Sequence, residues 1–178
     1  MDGMEPSARK SLKPDVLAQA RRVLIRDVWN GYSPIAPFHQ DFDLCPEADA
    51  FVGMARFSVG RDEQLRDEAK IAIPGGVMEE FFRTLATARL ERGEYVPYWD
   101  HTDDFPFVEI VLELPDEKIE FSTTSQGTDR APWKCVLGTE TYVVNSGAPM
   151  RALRALEPYL QHDRLRELIE TARERGPS

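Results

Sequence analysis

Apolar positions along the chain alternate between a helical and an extended period. Val16, Leu17, Ala20, Leu24 and Val28 recur at three- and four-residue spacing among arginines; Pro14 and Asp15 suit a first turn and Asn30-Gly31 a stop. Together they predict an amphipathic helix over residues 14–30. Residues 31–50 hold three prolines and no clear period, and read as a long irregular connection. Within it, Phe38, Gln40, Phe42 and Leu44 would share one face of a short strand, with His39, Asp41 and Asp43 on the other. Phe51 to Val59 alternates as a strand, Arg61 to Asp67 reads as a charged turn, and Ala69, Ile71 and Ile73 alternate again, which predicts a hairpin.

Pro74-Gly75-Gly76 breaks that pattern, and Val77, Phe81, Leu85 and Ala88 then trace a helical stripe up to Leu90. Residues 95–106 return to irregularity. Val108, Ile110, Leu112 and Leu114 mark a strong strand, Pro115 to Lys118 a tight turn, and Ile119, Phe121 and Thr123 the return strand. A polar loop over 125–132 precedes Trp133, Cys135 and Leu137 on one strand face, with Thr141 to Val144 returning after Gly138-Thr139. Ser146 is placed to cap a helix whose stripe is Met150, Leu153, Leu156 and Leu160. Pro158 should break that helix before Leu165, Leu168, Ile169 and Ala172 carry a final one.

The expected fold is α+β: a mainly antiparallel sheet of about six strands with helices packed on one face, in the order α-(β)ββα-ββ-ββ-α-α. Residues 1–13 are expected to be a disordered leader and 14–178 a single domain. Two strands and a helix at 51–90 echo two strands and a helix at 133–160, although the residues themselves do not repeat.

With 178 residues, 42% apolar and 30% charged, the chain is long enough to bury a core without staples, and its two cysteines exclude a disulfide scaffold. No apolar run approaches the roughly 20 residues that span a bilayer, and the first residues lack the apolar stretch of a secretory signal. A cytoplasmic location with reduced thiols follows as an expectation. Seventeen arginines against five lysines hint at a GC-rich bacterial source.

Charge changes the picture more than composition. The net charge is −9, yet residues 32–130 alone carry −12 while both ends are mildly positive. Such acidity repels phosphate backbones and favours a basic protein partner over nucleic acid or a membrane surface.

Asp100-His101-Thr102-Asp103-Asp104 is the densest polar cluster, joining hard carboxylate oxygens to an imidazole that titrates near neutrality. His39 and Asp41 form a second, sparser group. Neither has a recognised metal-ligand spacing, and no cofactor or metal is expected. Trp99 sits in an aromatic-rich stretch, and Ser125 and Gln126 lie on the polar loop before Trp133. There is no nucleophile elbow and no phosphate loop. His101, Asp103, Asp104, Trp99, Ser125, Gln126, His39 and Asp41 are therefore candidate binding residues. They belong to a non-catalytic interaction or ligand-binding domain that works through loops 31–50, 95–106 and 125–132. The alternative is a small metal-dependent or acid–base hydrolase built on His101, Asp103 and Asp104, which requires them to meet His39 in a concave pocket.

Overall fold

A computed structural model describes residues 9–29, 37–96, 106–124, 132–144 and 146–176. Among them the chain forms β1 (Arg9–Ser11), α1 (Pro14–Leu17), β2 (Arg22–Trp29), β3 (Phe38–Glu47), β4 (Ala50–Val59), β5 (Leu65–Pro74), α2 (Gly75–Ala86), β6 (Arg89–Arg92), β7 (Pro106–Glu113), β8 (Lys118–Thr123), β9 (Trp133–Leu137), β10 (Glu140–Val144), α3 (Ala148–Leu156) and α4 (His162–Arg175). The ten strands make one antiparallel sheet in the order β1-β6-β10-β9-β8-β7-β2-β3-β4-β5. The fold is thus α+β with an antiparallel sheet, but with ten strands rather than about six and a different element order.

The largest departure is at residues 14–30. Only Pro14–Leu17 is helical, a single turn with Pro14 in its first position, and Arg22–Trp29 is strand β2. The helical stripe there is a coincidence of spacing. Val23 and Ile25 alternate into the core at 0% and 3% exposure, whereas Leu24 and Val28 fall on the opposite face. β2 gains a full hydrogen-bond ladder on both sides, from β3 and from β7, which no isolated helix could match. The predicted stop at Asn30-Gly31 lies outside the described residues.

Three further differences are smaller. β3 runs on to Glu47 and turns at Ala48-Asp49, so the second half of the expected irregular connection is a long hairpin with β4. The helix after Pro74 ends at Ala86, and Leu90 lies instead in β6, fully buried, because β10 offers that segment a ladder partner. Arg9–Ser11, inside the stretch expected to be a leader, pairs with β6 as a short edge strand. The last two gain their structure from a partner distant in sequence, which local spacing does not encode.

Other expectations hold. β7 and β8 pair as an antiparallel hairpin, and Val108, Ile110 and Leu112 are buried. Trp133, Cys135 and Leu137 point into the core, with Trp133 only 1% exposed. Pro158 sits in a short 3₁₀ turn, Glu157–Tyr159, that separates α3 from α4. The cap of α3, however, is Gly147 with no side-chain bond, and the Ser146 hydroxyl is buried without a partner among the described residues.

The topology contains two similar units. β2-β3-β4-β5 is a meander followed by α2, and β7-β8-β9-β10 is a meander followed by α3. Their first strands, β2 and β7, pair antiparallel at the sheet centre, and α2 packs against α3. An approximate two-fold axis perpendicular to the sheet therefore relates the units. The echo seen in sequence is the visible part of this arrangement, each unit holding four strands rather than two. One apolar cluster joins the inward sheet face to the helices: Phe42 and Phe57 pack edge to face, as do Phe81 and Phe82 of α2.

Candidate functional site

The two ends of the sheet differ. At one end the strands are joined by short turns, Ala48-Asp49 between β3 and β4, residues 114–117 between β7 and β8, and Gly138-Thr139 between β9 and β10. At the other end β2 leaves into residues 30–37, β8 leaves into 124–132, and β7 is entered from 97–105. The strands flanking these segments, β3, β2, β7, β8 and β9, are consecutive neighbours in the sheet. A cross-link supports this end: Tyr95 Oη accepts from the Thr124 backbone N–H at 3.3 Å and lies 3.4 Å from Thr124 Oγ1, which ties the approach to 97–105 to the exit of β8. Trp99, His101, Asp103, Asp104, Ser125 and Gln126 all lie outside the described residues.

On the helix side of this end the core turns polar. Asp27, Gln40 and Phe57 lie in one cross-strand row with Asp67 and Val108. Gln40, 3% exposed, donates from Nε2 to Asp27 Oδ2 at 3.1 Å, and its Oε1 lies 2.7 Å from His162 Nδ1 at the start of α4. An amide oxygen can only accept, so Nδ1 carries the proton in this contact. Burial holds the His162 imidazolium below its ordinary range, and the ring packs edge-on against Phe42. Arg164 reaches back to Asp67 at 2.9 Å and so fastens the same end of α4 to β5. Two residues nearer the sheet end, the Trp29 indole N–H is buried with no partner among the described residues. Sequence reading missed Asp27, Gln40 and His162 because Gln40 lies 122 residues from His162.

His39 and Asp41 do share a face, as expected, and it is the face without helices. Charges alternate across it in a register row, Glu68–Arg56–Asp41–Arg26–Glu109, with Arg26 3.5 Å from both Asp41 and Glu109. Two residues along, Arg22 donates to both carboxylate oxygens of Asp43 at 2.9 and 2.8 Å and holds that carboxyl below the usual range. A cavity of about 430 Å³ opens on this face over β3, β4 and β5, lined by His39, Asp41, Arg56, Ser58, Arg66 and Glu68 among others. His39 Nδ1 is 3.9 Å from Glu63 Oε1, and Arg66 pairs with the same carboxylate at 2.8 Å.

No three His, Cys, Asp or Glu side chains gather as a metal site among the described residues. Burial pushes the Cys135 thiol up to about 12, which keeps it a protonated core group. Among the described residues no helix is long and apolar enough to cross a membrane. No family model, no curated protein and no solved structure matches the chain, so its reading rests on this geometry alone.

Proposed function

We propose that the chain is a non-catalytic binding module that engages a basic protein partner through the loop-bearing end of its sheet. The observation that carries this reading is the set of strand ends at which the segments holding Trp99, His101, Asp103, Asp104, Ser125 and Gln126 begin or finish: the start of β7, after 97–105, and the end of β8 and start of β9, around 125–131, belong to neighbouring strands, and Tyr95 is hydrogen-bonded to Thr124, while the opposite end is closed by short turns. A rigid sheet that presents several long connections at one end is a common arrangement for recognition. Residues 97–105 carry three aspartates, no Lys or Arg, and three aromatic residues, a combination suited to cationic side chains. The indole N–H of Trp29 at the same end, buried and without a partner among the described residues, offers a further donor.

Photo-crosslinking residues placed one at a time at Val96 and Thr124, and at Asp116 and Thr139 of the opposite end, test the reading in the source cells. A discrete adduct is expected from the first pair and not from the second, and it should disappear when Asp103 and Asp104 are both changed to Lys. Adducts arising equally from both ends, or only from Asp116 and Thr139, overturn it.

A further inference from the structure

The cavity on the helix-free face has a distinctive balance of unused groups. Most of its charges are already paired: Arg66 with Glu63 at 2.8 Å, Asp67 with Arg164 at 2.9 Å, and Asp41 with Arg26 at 3.5 Å. Two are not. Among the described residues, Arg56 makes no ion pair within 4 Å, although after Arg22 it helps to lower the Asp43 carboxyl, and the Glu68 carboxylate has no cation within that distance. These two residues stand directly opposite each other on β4 and β5. Between Arg56 and the strand end lies Ser58, only 8% exposed and lining the cavity, whose hydroxyl has no hydrogen-bond partner among the described residues. What remains unused is therefore one guanidinium, one carboxylate and one hydroxyl around a space of about 430 Å³.

We infer that this cavity is a binding site for a small zwitterion of the α-amino acid class. The ligand carboxylate is taken by the Arg56 guanidinium, which matches it as a two-pronged donor, and by the Ser58 hydroxyl. The ligand ammonium is taken by Glu68. Directly opposed residues in an antiparallel pair hold their Cβ atoms about 4.5–5.5 Å apart, so two side chains reaching over the same space can grip the two charges of one α-carbon. A purely anionic ligand would leave Glu68 facing like charge, and a purely cationic one would leave Arg56 so. The His39 and Glu63 side of the cavity is left for the ligand's own side chain. The site lies on the helix-free face and does not depend on what the loop-bearing end engages.

The test is a titration of the isotopically labelled full chain with the twenty standard L-amino acids, first pooled and then singly, followed by backbone amide shifts. At least one amino acid is expected to give saturable shifts centred on Arg56, Ser58 and Glu68, with a Kd of about 1 mM or tighter. Acetate and methylammonium, each alone at the same concentration, should not reproduce them. Arg56→Met and Glu68→Gln should each weaken binding about tenfold or more, as loss of a charge-assisted contact implies. Both side chains lie on the exposed face, so the variants should keep the parent spectrum elsewhere. Three results overturn the inference: no saturable shift from any amino acid up to about 10 mM, shifts that survive both substitutions, or shifts that acetate alone matches.

Discussion

Single residues show how little slack the sheet has. A β-carbon built at Gly53 would stand 1.7 Å from the Asp43 carbonyl oxygen and 2.8 Å from its carbon, so the obstacle is backbone and cannot rotate away. Gly53→Ala should force β3 and β4 apart and cost about 3 kcal/mol or more, the upper end for overpacking, read as a lower denaturant midpoint in chemical unfolding. His162 makes a different kind of prediction. Its folded pKa lies below its ordinary value, so the fold favours the neutral ring. The stabilisation is complete above the ordinary value near 6.5 and is lost as the pH falls from there through the folded value. The melting temperature should therefore drop between about pH 7 and pH 5, and drop less in His162→Gln, whose side chain can still donate to Gln40 without titrating. Equal slopes for the two proteins would place the acid sensitivity elsewhere.

Among the elements, β2 is the instructive one. Residues 14–30 carry alanines, leucines and arginines at helical spacing, and as a free segment they lean to helix. In the protein the same residues give one helical turn and then the central strand of the sheet, because β3 and β7 offer ladders on both sides and because Val23 and Ile25 meet the core only in an extended chain. A peptide of residues 14–30 should accordingly turn helical in trifluoroethanol by circular dichroism. The amides of Val23 and Ile25 in the whole protein should be among the slowest to exchange. A peptide that remains extended in alcohol would show that the strand preference is local after all. The break at Pro158 is the reverse case: proline removes a donor whatever surrounds it, and the chain after it continues with Gln161 in the left-handed region at φ 54° before α4 begins.

For the whole molecule the governing features are the paired units and the distribution of charge. The antiparallel contact of β2 with β7 places the end of β2, the starts of β3 and β7 and the end of β8 at one end of the sheet. Residues 32–130 hold −12 of the charge, yet on the helix-free face much of it is spent in cross-strand pairs such as Arg22–Asp43 and Arg26–Asp41. Exposed pairs of this sort contribute little to stability, so their main consequence is to lower the field over that face; on the proposed reading, the acidic residues 97–105 are then the ones that steer a partner. Association with a basic partner should then slow as salt rises from about 50 to 500 mM, since screening shortens from roughly 14 to 4 Å. Charge reversal at Asp103 and Asp104 should reduce the association rate more than it raises dissociation. A salt-independent association rate, measured by surface plasmon resonance on the crosslinked partner, would count against electrostatic steering.

Sequence alone determined the elements whose signal is local and strong. The β7–β8 hairpin, the inward face of β9 with Trp133, the alternation of Phe38, Gln40, Phe42 and Leu44, the body of α2 and the break at Pro158 all follow from a clear period or from proline chemistry, which operate whatever the neighbours do. Tertiary structure decided the rest. β1 and β6 are three and four residues long and exist only because a distant edge pairs with them, and β2 exchanges a helical spacing for two ladders. The sites divide in the same way. His39 and Asp41 were legible as one face of a strand, because side-chain alternation is a property of the chain itself. Their meeting with Arg56, Ser58 and Glu68, and that of Asp27 with Gln40 and His162, were not, since register between strands is set by turn geometry and by burial of the opposite face, and neither is written in the spacing of the residues concerned.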